Sequence, residues 1–244
     1  MLSPYEVKII TSPADIREAF RLRYEVYCHE YCYLAPEECP DGIERDRWDK
    51  IAYHLGVVAP DGQIVGTARL VPNSEIGLPT GDYGTLPSVD DRLIIEVSRL
   101  AFHHDVRGVG NGLLIDMWRA VIHESRARGA RYLYASMLTS TWKLLLKVGF
   151  YFHLIGEAKL WSRAASPSVM VIPTLLDMES CDRYFQHANP KVYNYIYGNN
   201  PGTAQDDADL EAVLRQEHAD REQVRQYSRI LKQRAQLLAH ASFA

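Results

Sequence analysis

The residue that most invites a chemical reading is Glu96, the one acid inside the apolar run Leu93-Ile94-Ile95-Glu96-Val97-Ser98-Arg99-Leu100-Ala101-Phe102. Burial in a central strand raises a carboxyl's pKa toward the range of a working general base. Such a base suits a nucleophile that must lose a proton before attack. Shortly after this run comes Arg107-Gly108-Val109-Gly110-Asn111-Gly112. Glycines there let backbone N–H groups approach a ligand, and a helix starting at the last glycine adds partial positive charge, so the element suits a phosphate or pyrophosphate. A third set is Glu44-Arg45-Asp46-Arg47-Trp48-Asp49, with carboxylates at its first, third and sixth positions. A calcium loop is disfavoured because its glycine and closing glutamate are missing. With Arg23, Arg69 and Arg99, the carboxylates Glu44, Asp46, Asp49 and Glu96 would make a cluster with one negative charge in excess. That cluster either receives a cationic amine or braces the fold as ion pairs, and both readings stay open.

These residues need elements to position them. Tyr5 to Ile10 alternates as a strand does, and Ser12-Pro13-Ala14-Asp15 opens a helix through Ile16, Ala19, Phe20 and Tyr24. Tyr53–Ala59 and Gln63–Pro72 read as a hairpin about Pro60-Asp61-Gly62. The loop 73–91 leads into the Glu96 strand. Leu114, Ile115, Trp118, Val121 and Ile122 mark a helix from Gly112 that ends by Gly129, and Tyr132–Met137 is the next strand. Thr139–Val148 predicts a helix stopped by Gly149, with strands at Phe150–Ile155 and Val169–Pro173 closing the sheet. Asp177–Tyr197 is aromatic and helical in character, Gly198-Asn199-Asn200-Pro201-Gly202 breaks the chain, and Asp206–His240 reads as a long charged helix. The chain thus divides into a catalytic domain over 1–175 and a helical extension over 176–244, which packs on the domain or on a partner subunit.

With 244 residues, 47% of them hydrophobic, one large core is affordable, and a net charge of −4 disfavours a nucleic-acid partner. No apolar run approaches a membrane span and the first residues do not resemble a signal peptide, so a soluble, cytoplasmic protein is expected. Cys28, Cys32 and Cys39 cluster while Cys181 stands apart. That favours reduced thiols over a disulfide framework, and their spacing with His29 fits no common zinc pattern, so no metal is expected.

Around the glycine turn the chain resembles the GNAT acyltransferase superfamily. Arg107, Gly110 and Gly112 fill that superfamily's acyl-donor pattern, and Lys147-Val148-Gly149-Phe150 looks like the end of its following helix. A dinucleotide site is disfavoured by the mid-chain position and the glycine spacing. The acidic motif with Arg23, Arg69 and Glu96-Val97-Ser98-Arg99 narrows the likeness to the acyl-homoserine lactone synthases, the long-chain N-acyl amino acid synthases and the exosortase-associated acyltransferases. Arg23-Tyr24-Glu25-Val26-Tyr27-Cys28 and Val65-Gly66-Thr67-Ala68-Arg69-Leu70-Val71-Pro72 look nearest to the last branch. The likeness covers about residues 5 to 175.

This resemblance implies an α/β GNAT fold, with a mixed, mostly antiparallel sheet flanked by helices. It places Glu96 and Arg99 at the catalytic centre, and Phe102, Arg107, Gly108, Val109, Gly110 and Gly112 at the donor. Arg23, Tyr27, Glu44, Asp46, Asp49 and Arg69 fall on the acceptor side. It also implies a bulge bringing Glu96 and Arg99 to one side of the sheet, and a splay beside that strand for the pantetheine arm. The implied reaction is direct transfer of an acyl chain from acyl carrier protein or acyl-coenzyme A to the amine of an amino acid or related metabolite, with no tightly bound cofactor. Alternatives are lactone synthesis from S-adenosylmethionine, ordinary acetyl-coenzyme A acetyltransfer, or a silent thioester-binding module. Many GNAT enzymes have a tyrosine acid where this chain has Leu145. Arg119, Arg126, Arg128, Arg131, Lys143 and Lys147 are candidates for docking an acidic carrier protein.

Overall fold

The computed structural model describes residues 4–82, 93–107, 112–161, 169–188 and 190–198. The first alternating stretch is strand β1 (Glu6–Ile10). Ser12 then caps helix α1 (Pro13–Tyr24): its hydroxyl accepts the Asp15 amide at 3.1 Å, and Pro13 occupies the first turn, where its missing N–H is not needed. The helix does not stop at Tyr24. It widens into one π-helical turn, Glu25–Glu30, closed by the Tyr31 amide on the Val26 carbonyl five residues back.

The expected hairpin is β2 (Tyr53–Val58) and β3 (Ile64–Pro72), and the Glu96 strand is β4 (Ile94–Phe102). Helix α2 (Gly112–Ala127), strand β5 (Tyr132–Leu138) and helix α3 (Thr139–Val148) follow. Gly149 ends α3 at φ 111°, a left-handed value that glycine adopts without strain, and its N–H meets the Leu145 and Leu146 carbonyls. Strands β6 (His153–Leu154), β7 (Lys159–Leu160) and β8 (Met170–Asp177) complete an eight-stranded sheet in the order β1-β2-β3-β4-β5-β8-β6, with β7 also on β8. The β4–β5 pairing is parallel and the others among the described residues are antiparallel. This is the mixed, mostly antiparallel sheet with flanking helices that the GNAT resemblance implied.

Two details depart from the sequence reading. Residues 150–155 yield only the two-residue β6, because the Phe150 amide bonds back to the Leu145 carbonyl, the Phe152 amide to the Phe150 carbonyl, and Trp142 Nε1 donates to the Phe152 carbonyl at 2.9 Å, which takes these groups out of a strand ladder. Strand β8 continues past Pro173 to Asp177, where α4 (Met178–Ala188) begins, followed by α5 (Pro190–Tyr197). Val192 and Ile196 of α5 join the same buried cluster as Trp118 and Ile122 of α2. The helix expected over 206–240 lies outside the described residues.

The sheet has two unlike faces. Leu55, Ala68, Leu70, Val97 and Leu133 pack with Ile115, Met117 and Ile122 of α2 in the main apolar core. On the opposite face α1 packs through Ala19 and Leu22 on Ile10, Ile64 and Ala101, and the acidic segment adjoins it, tied by the Glu44 amide on the Phe20 carbonyl.

Candidate active site

Strands β3 and β4 pair Val71 with Glu96 and Arg69 with Ser98, and then Thr67 with Ala101. Two steps along β3 therefore match three along β4, so β4 carries one extra residue, a bulge. Arg99 within it has φ 54°, a left-handed value that costs a non-glycine residue about 1–3 kcal/mol. The consequence is geometric: in a regular strand Glu96 and Arg99 would face opposite ways, whereas here Glu96, Ser98 and Arg99 share the α1 face. The bulge also coincides with the parting of β4 from β5. Their register runs Ile94–Tyr132, Ile95–Leu133 and Glu96–Tyr134, after which β4 continues to Phe102 and β5 to Leu138 as separate strands. Glu96 sits at the apex of this cleft and is 2% exposed.

Beside the apex, the three arginines and the acidic motif form one buried network, each side chain at most 10% exposed. Arg23 donates through Nε to Glu44 Oε2 at 2.6 Å, and through its two terminal nitrogens to Asp49 at 2.8 and 3.0 Å. Arg69 Nη1 reaches Asp46 at 2.6 Å and Asp49 at 3.0 Å, while its Nε donates to Ser98 Oγ at 3.1 Å. Arg99 donates through Nε to both Glu44 oxygens at 3.1 Å and through Nη2 to Asp46 at 2.9 Å. The spacing of the acidic motif has a local cause. Asp46 Oδ1 accepts the Trp48 amide at 3.0 Å and Asp49 Oδ2 accepts the Asp46 amide at 2.7 Å, a reciprocal cap that sets the turn Arg47–Lys50.

Burial by itself would raise the Glu44 and Asp49 carboxyls. The guanidinium groups of Arg99 and Arg23 at Glu44, and of Arg23 and Arg69 at Asp49, outweigh it and hold both well below the usual carboxylate range. Three arginines and three carboxylates therefore balance within the network, and Glu96 is the additional carboxylate on this face. Tyr27 joins through its hydroxyl, which donates to the Leu100 carbonyl in the bulge at 2.9 Å; burial pushes its phenol up to about 12. The π turn places Tyr27 here.

At the donor end, the Phe102 ring lies over Gly66, where an added Cβ would come within 2.7 Å of it. Arg107 turns back to donate to the Phe102 carbonyl through Nε at 2.8 Å, pairs with Glu30 and lies over the Tyr31 ring at 5.1 Å. It thereby ties the strand end to the π turn. Gly112 is the first residue of α2, and a Cβ added there would meet nothing within 4 Å. Gly108, Val109 and Gly110 lie outside the described residues. Four basic candidates for carrier docking have neighbours of their own. Arg119 lies over Tyr195, Arg126 pairs with Asp182, Arg128 with Glu124, and Arg131 with Asp177 and Glu179.

Sequence reasoning missed two contributors. Ser98 follows Glu96 by two residues, so strand periodicity placed it on the same face, but its hydroxyl was given no role. Trp161, whose ring stands 5.5 Å from the Arg99 guanidinium and packs near Tyr27 and Tyr33, follows β7, a strand with no sequence signal. Cys28 and Cys39 are buried and reduced, their sulfurs 3.6 Å apart. Among the described residues, His103, His104 and Asp105 form a His/Cys/Asp/Glu group with metal-like spacing.

Residues 22–119, which span every charged member of this site from Arg23 to Arg107, match a family model described as an acetyltransferase (GNAT) domain. Among solved structures the chain is similar to BjaI, a CoA-dependent acyl-homoserine lactone synthase, with TM-score 0.60 and 21% identity over 75% of this chain and 88% of that one. It is similar also to FeeM, an N-acyl amino acid synthase from uncultured soil microbes, with TM-score 0.54 and 15% identity over 74% and 94%. The acyl-homoserine lactone synthase LasI gives TM-score 0.58 and 16% identity over 71% and 89%. No helix among the described residues is long and apolar enough to cross a membrane. With the bulged and splayed sheet, the acidic motif and the matched segment in agreement, the described residues form a GNAT-like fold in which residues 22–119 match an acetyltransferase domain.

Proposed function

We propose that the protein transfers an acyl chain from acyl carrier protein or acyl-coenzyme A directly to the amine of an amino acid or related metabolite. The observation that carries this reading is the position of Glu96, buried where β4 parts from β5 and turned by the bulge to the same face as Arg99. In this reading the pantetheine arm enters the cleft between the two strands, and its phosphates lie at the N-terminus of α2 beside Gly112. Glu96 takes a proton from the acceptor ammonium, and the neutral amine attacks the thioester carbonyl. The resulting tetrahedral adduct carries an oxyanion and a protonated nitrogen; it passes that second proton to solvent or to the departing sulfur and collapses to the amide and the pantetheine thiol, a leaving group weakly acidic enough to need no dedicated acid. No acyl-enzyme is formed, and the cysteines take no part.

Arg23, Glu44, Asp49 and Arg99 hold the bulge and the π turn, so Tyr27 and Arg69 border the acceptor on a rigid wall. Asp46 and Asp49 are each tied to arginine, so the role of taking the ammonium's proton is assigned to Glu96, at the point where β4 parts from β5. Incubating the purified full chain with acyl carrier protein and coenzyme A thioesters of matched chain length, with an amino acid mixture and with S-adenosylmethionine, tests this reading. An N-acyl amino acid identified by mass spectrometry supports it. An acyl-homoserine lactone moves the protein to the lactone-forming reaction, and a product restricted to acetylated amines from acetyl-coenzyme A moves it to ordinary acetyltransfer.

A further inference from the structure

Among the described residues, Nη2 of Arg69 and the hydroxyl of Tyr134 are buried donors on the α1 face without a hydrogen-bond partner. Leaving a buried donor unmade costs about 1–3 kcal/mol, so native structures keep few of them and each calls for a cause. Other such atoms that can donate lie on Trp118 and Ser125 of α2, on Tyr197 of α5 and at His54 Nδ1 of β2. The Arg69 and Tyr134 donors flank Glu96 instead. Arg69 lies opposite Ser98 on one side of β4, and Tyr134 lies beside Glu96 on the other. Strand spacing of ~4.8 Å and a rise of ~3.4 Å per residue put their Cα atoms about 12 Å apart, a span that two long side chains on one face close down to a small ligand.

Both donors are held in place. Arg69 is anchored by Asp46, Asp49 and Ser98 through its other nitrogens. Tyr134 is wholly buried among Val71, Leu78 and Ile94, and that burial pushes its phenol up to about 12, so it remains a protonated donor at neutral pH. A carboxylate between two donors and a zwitterion's opposite ends are complementary: the ammonium faces Glu96 and the carboxylate turns to a donor.

We propose that Arg69 Nη2 and the Tyr134 hydroxyl form a subsite for the acceptor's carboxylate, so that the protein takes an α-amino acid as its zwitterion and rejects the corresponding simple amine. The subsite rests on the N-acyl transfer reading above. A site that hydrogen-bonds a buried polar group discriminates strongly against an analogue lacking it, because its own donors are then left unmade.

The test compares protein amino acids with the amines left by their decarboxylation, for example phenylalanine with phenethylamine and leucine with isopentylamine. Turnover is measured with one acyl donor, and equilibrium binding of the same compounds is measured by calorimetry without donor. The wild-type chain should favour the acid by at least about 10² in kcat/KM. Tyr134→Phe should narrow that ratio about tenfold while thermal stability stays level or rises, since the variant deletes an unpaired buried hydroxyl. Equal use of acid and amine overturns the subsite, as does discrimination unchanged by Tyr134→Phe. If neither compound is acylated, the transfer reading fails, and the binding arm still decides the subsite. Tighter binding of the acid supports it, and equal or absent binding overturns it.

Discussion

The two faces of β3, β4 and β5 are built from alternate residues of the same strands, yet they are made of different materials. Toward α2 stand Leu70, Val97 and Leu133, apolar and interlocked with Ile115, Met117 and Ile122. Toward α1 stand Arg69, Glu96 and Tyr134, with Arg99 forced to a left-handed φ beside them. The first face holds through area removed from water, which tolerates exchange of similar side chains. The second holds through paired charges whose individual removal leaves a partner stranded in low dielectric. A fold that needed only stability would not spend a strained residue, a buried acid and two unmade donors on one face. That concentration is the structural argument that function sits there.

Removing Glu44 should give the largest effect. Glu44→Ala strips a shared counter-charge from Arg23 and Arg99, and breaking a buried pair costs about 3–5 kcal/mol, to be measured by denaturant unfolding. The pH dependence has a definite sign. The folded carboxyl is held well below its unfolded value of about 4.3, so its contribution is complete above that value and is lost progressively as pH falls from there toward and through the depressed folded value. The gap between wild type and variant should therefore be constant from pH 8 to 6 and close progressively below about pH 4.5. A gap that widens in acid would contradict the network as the source of stability.

Glu96→Gln should separate the roles within this face. The shape is nearly preserved, so stability should change little, while kcat should fall by about 10² or more, or ~2.7 kcal/mol of barrier. The deficit should shrink as pH rises past the acceptor amine's pKa, near ~8, where solution supplies the neutral nucleophile. A deficit independent of pH would reassign Glu96 to positioning, and full activity across the range would remove it from the mechanism.

Part of this contrast was legible in the sequence: the acid at 96 stood out against apolar neighbours, while the arginine at 69 came into view only through the GNAT-relative resemblance. The hairpin, the caps at Ser12 and Gly149, and α2 followed from local chemistry. The bulge did not. A strand's sequence does not announce an extra residue, and only the need to bring Arg99 beside Glu96, implied by the GNAT resemblance, required one. The π turn was equally silent, because it conserves helical character while burying Val26 and Cys28, two positions apart. Trp161 arrives through a two-residue strand too short to carry a pattern, and the pairing of every acid in 44–49 with a particular arginine is a tertiary fact.

At the donor end the expected effect is smaller and falls on affinity. Gly112→Asp places a carboxylate at the N-terminus of α2, where nothing crowds a Cβ. A negative charge in the first turn of a helix is mildly stabilising, so the melting temperature should hold or rise slightly. The same charge repels a phosphate, and binding of acyl thioesters should weaken about tenfold, or ~1.4 kcal/mol. Wild-type donor affinity in the folded variant would remove α2's N-terminus from the donor site.

The smallest change belongs on the apolar face, and it completes the comparison. Ile122 is fully buried in the middle of α2, beneath the sheet and away from the helix start. Ile122→Val deletes one methylene and should lower unfolding stability by about 0.5–1.5 kcal/mol, the sum of lost transfer energy and a small residual cavity. Since that face makes no contact with Glu96 or the acidic network in this reading, kcat and KM should match wild type at temperatures where the variant is folded. Tyr134→Phe, a change of similar size on the other face, should do the reverse, altering kinetics while leaving stability level or improved. If Ile122→Val instead changes acceptor discrimination as Tyr134→Phe does, the two faces are mechanically coupled through the sheet, and the division of labour between them is wrong.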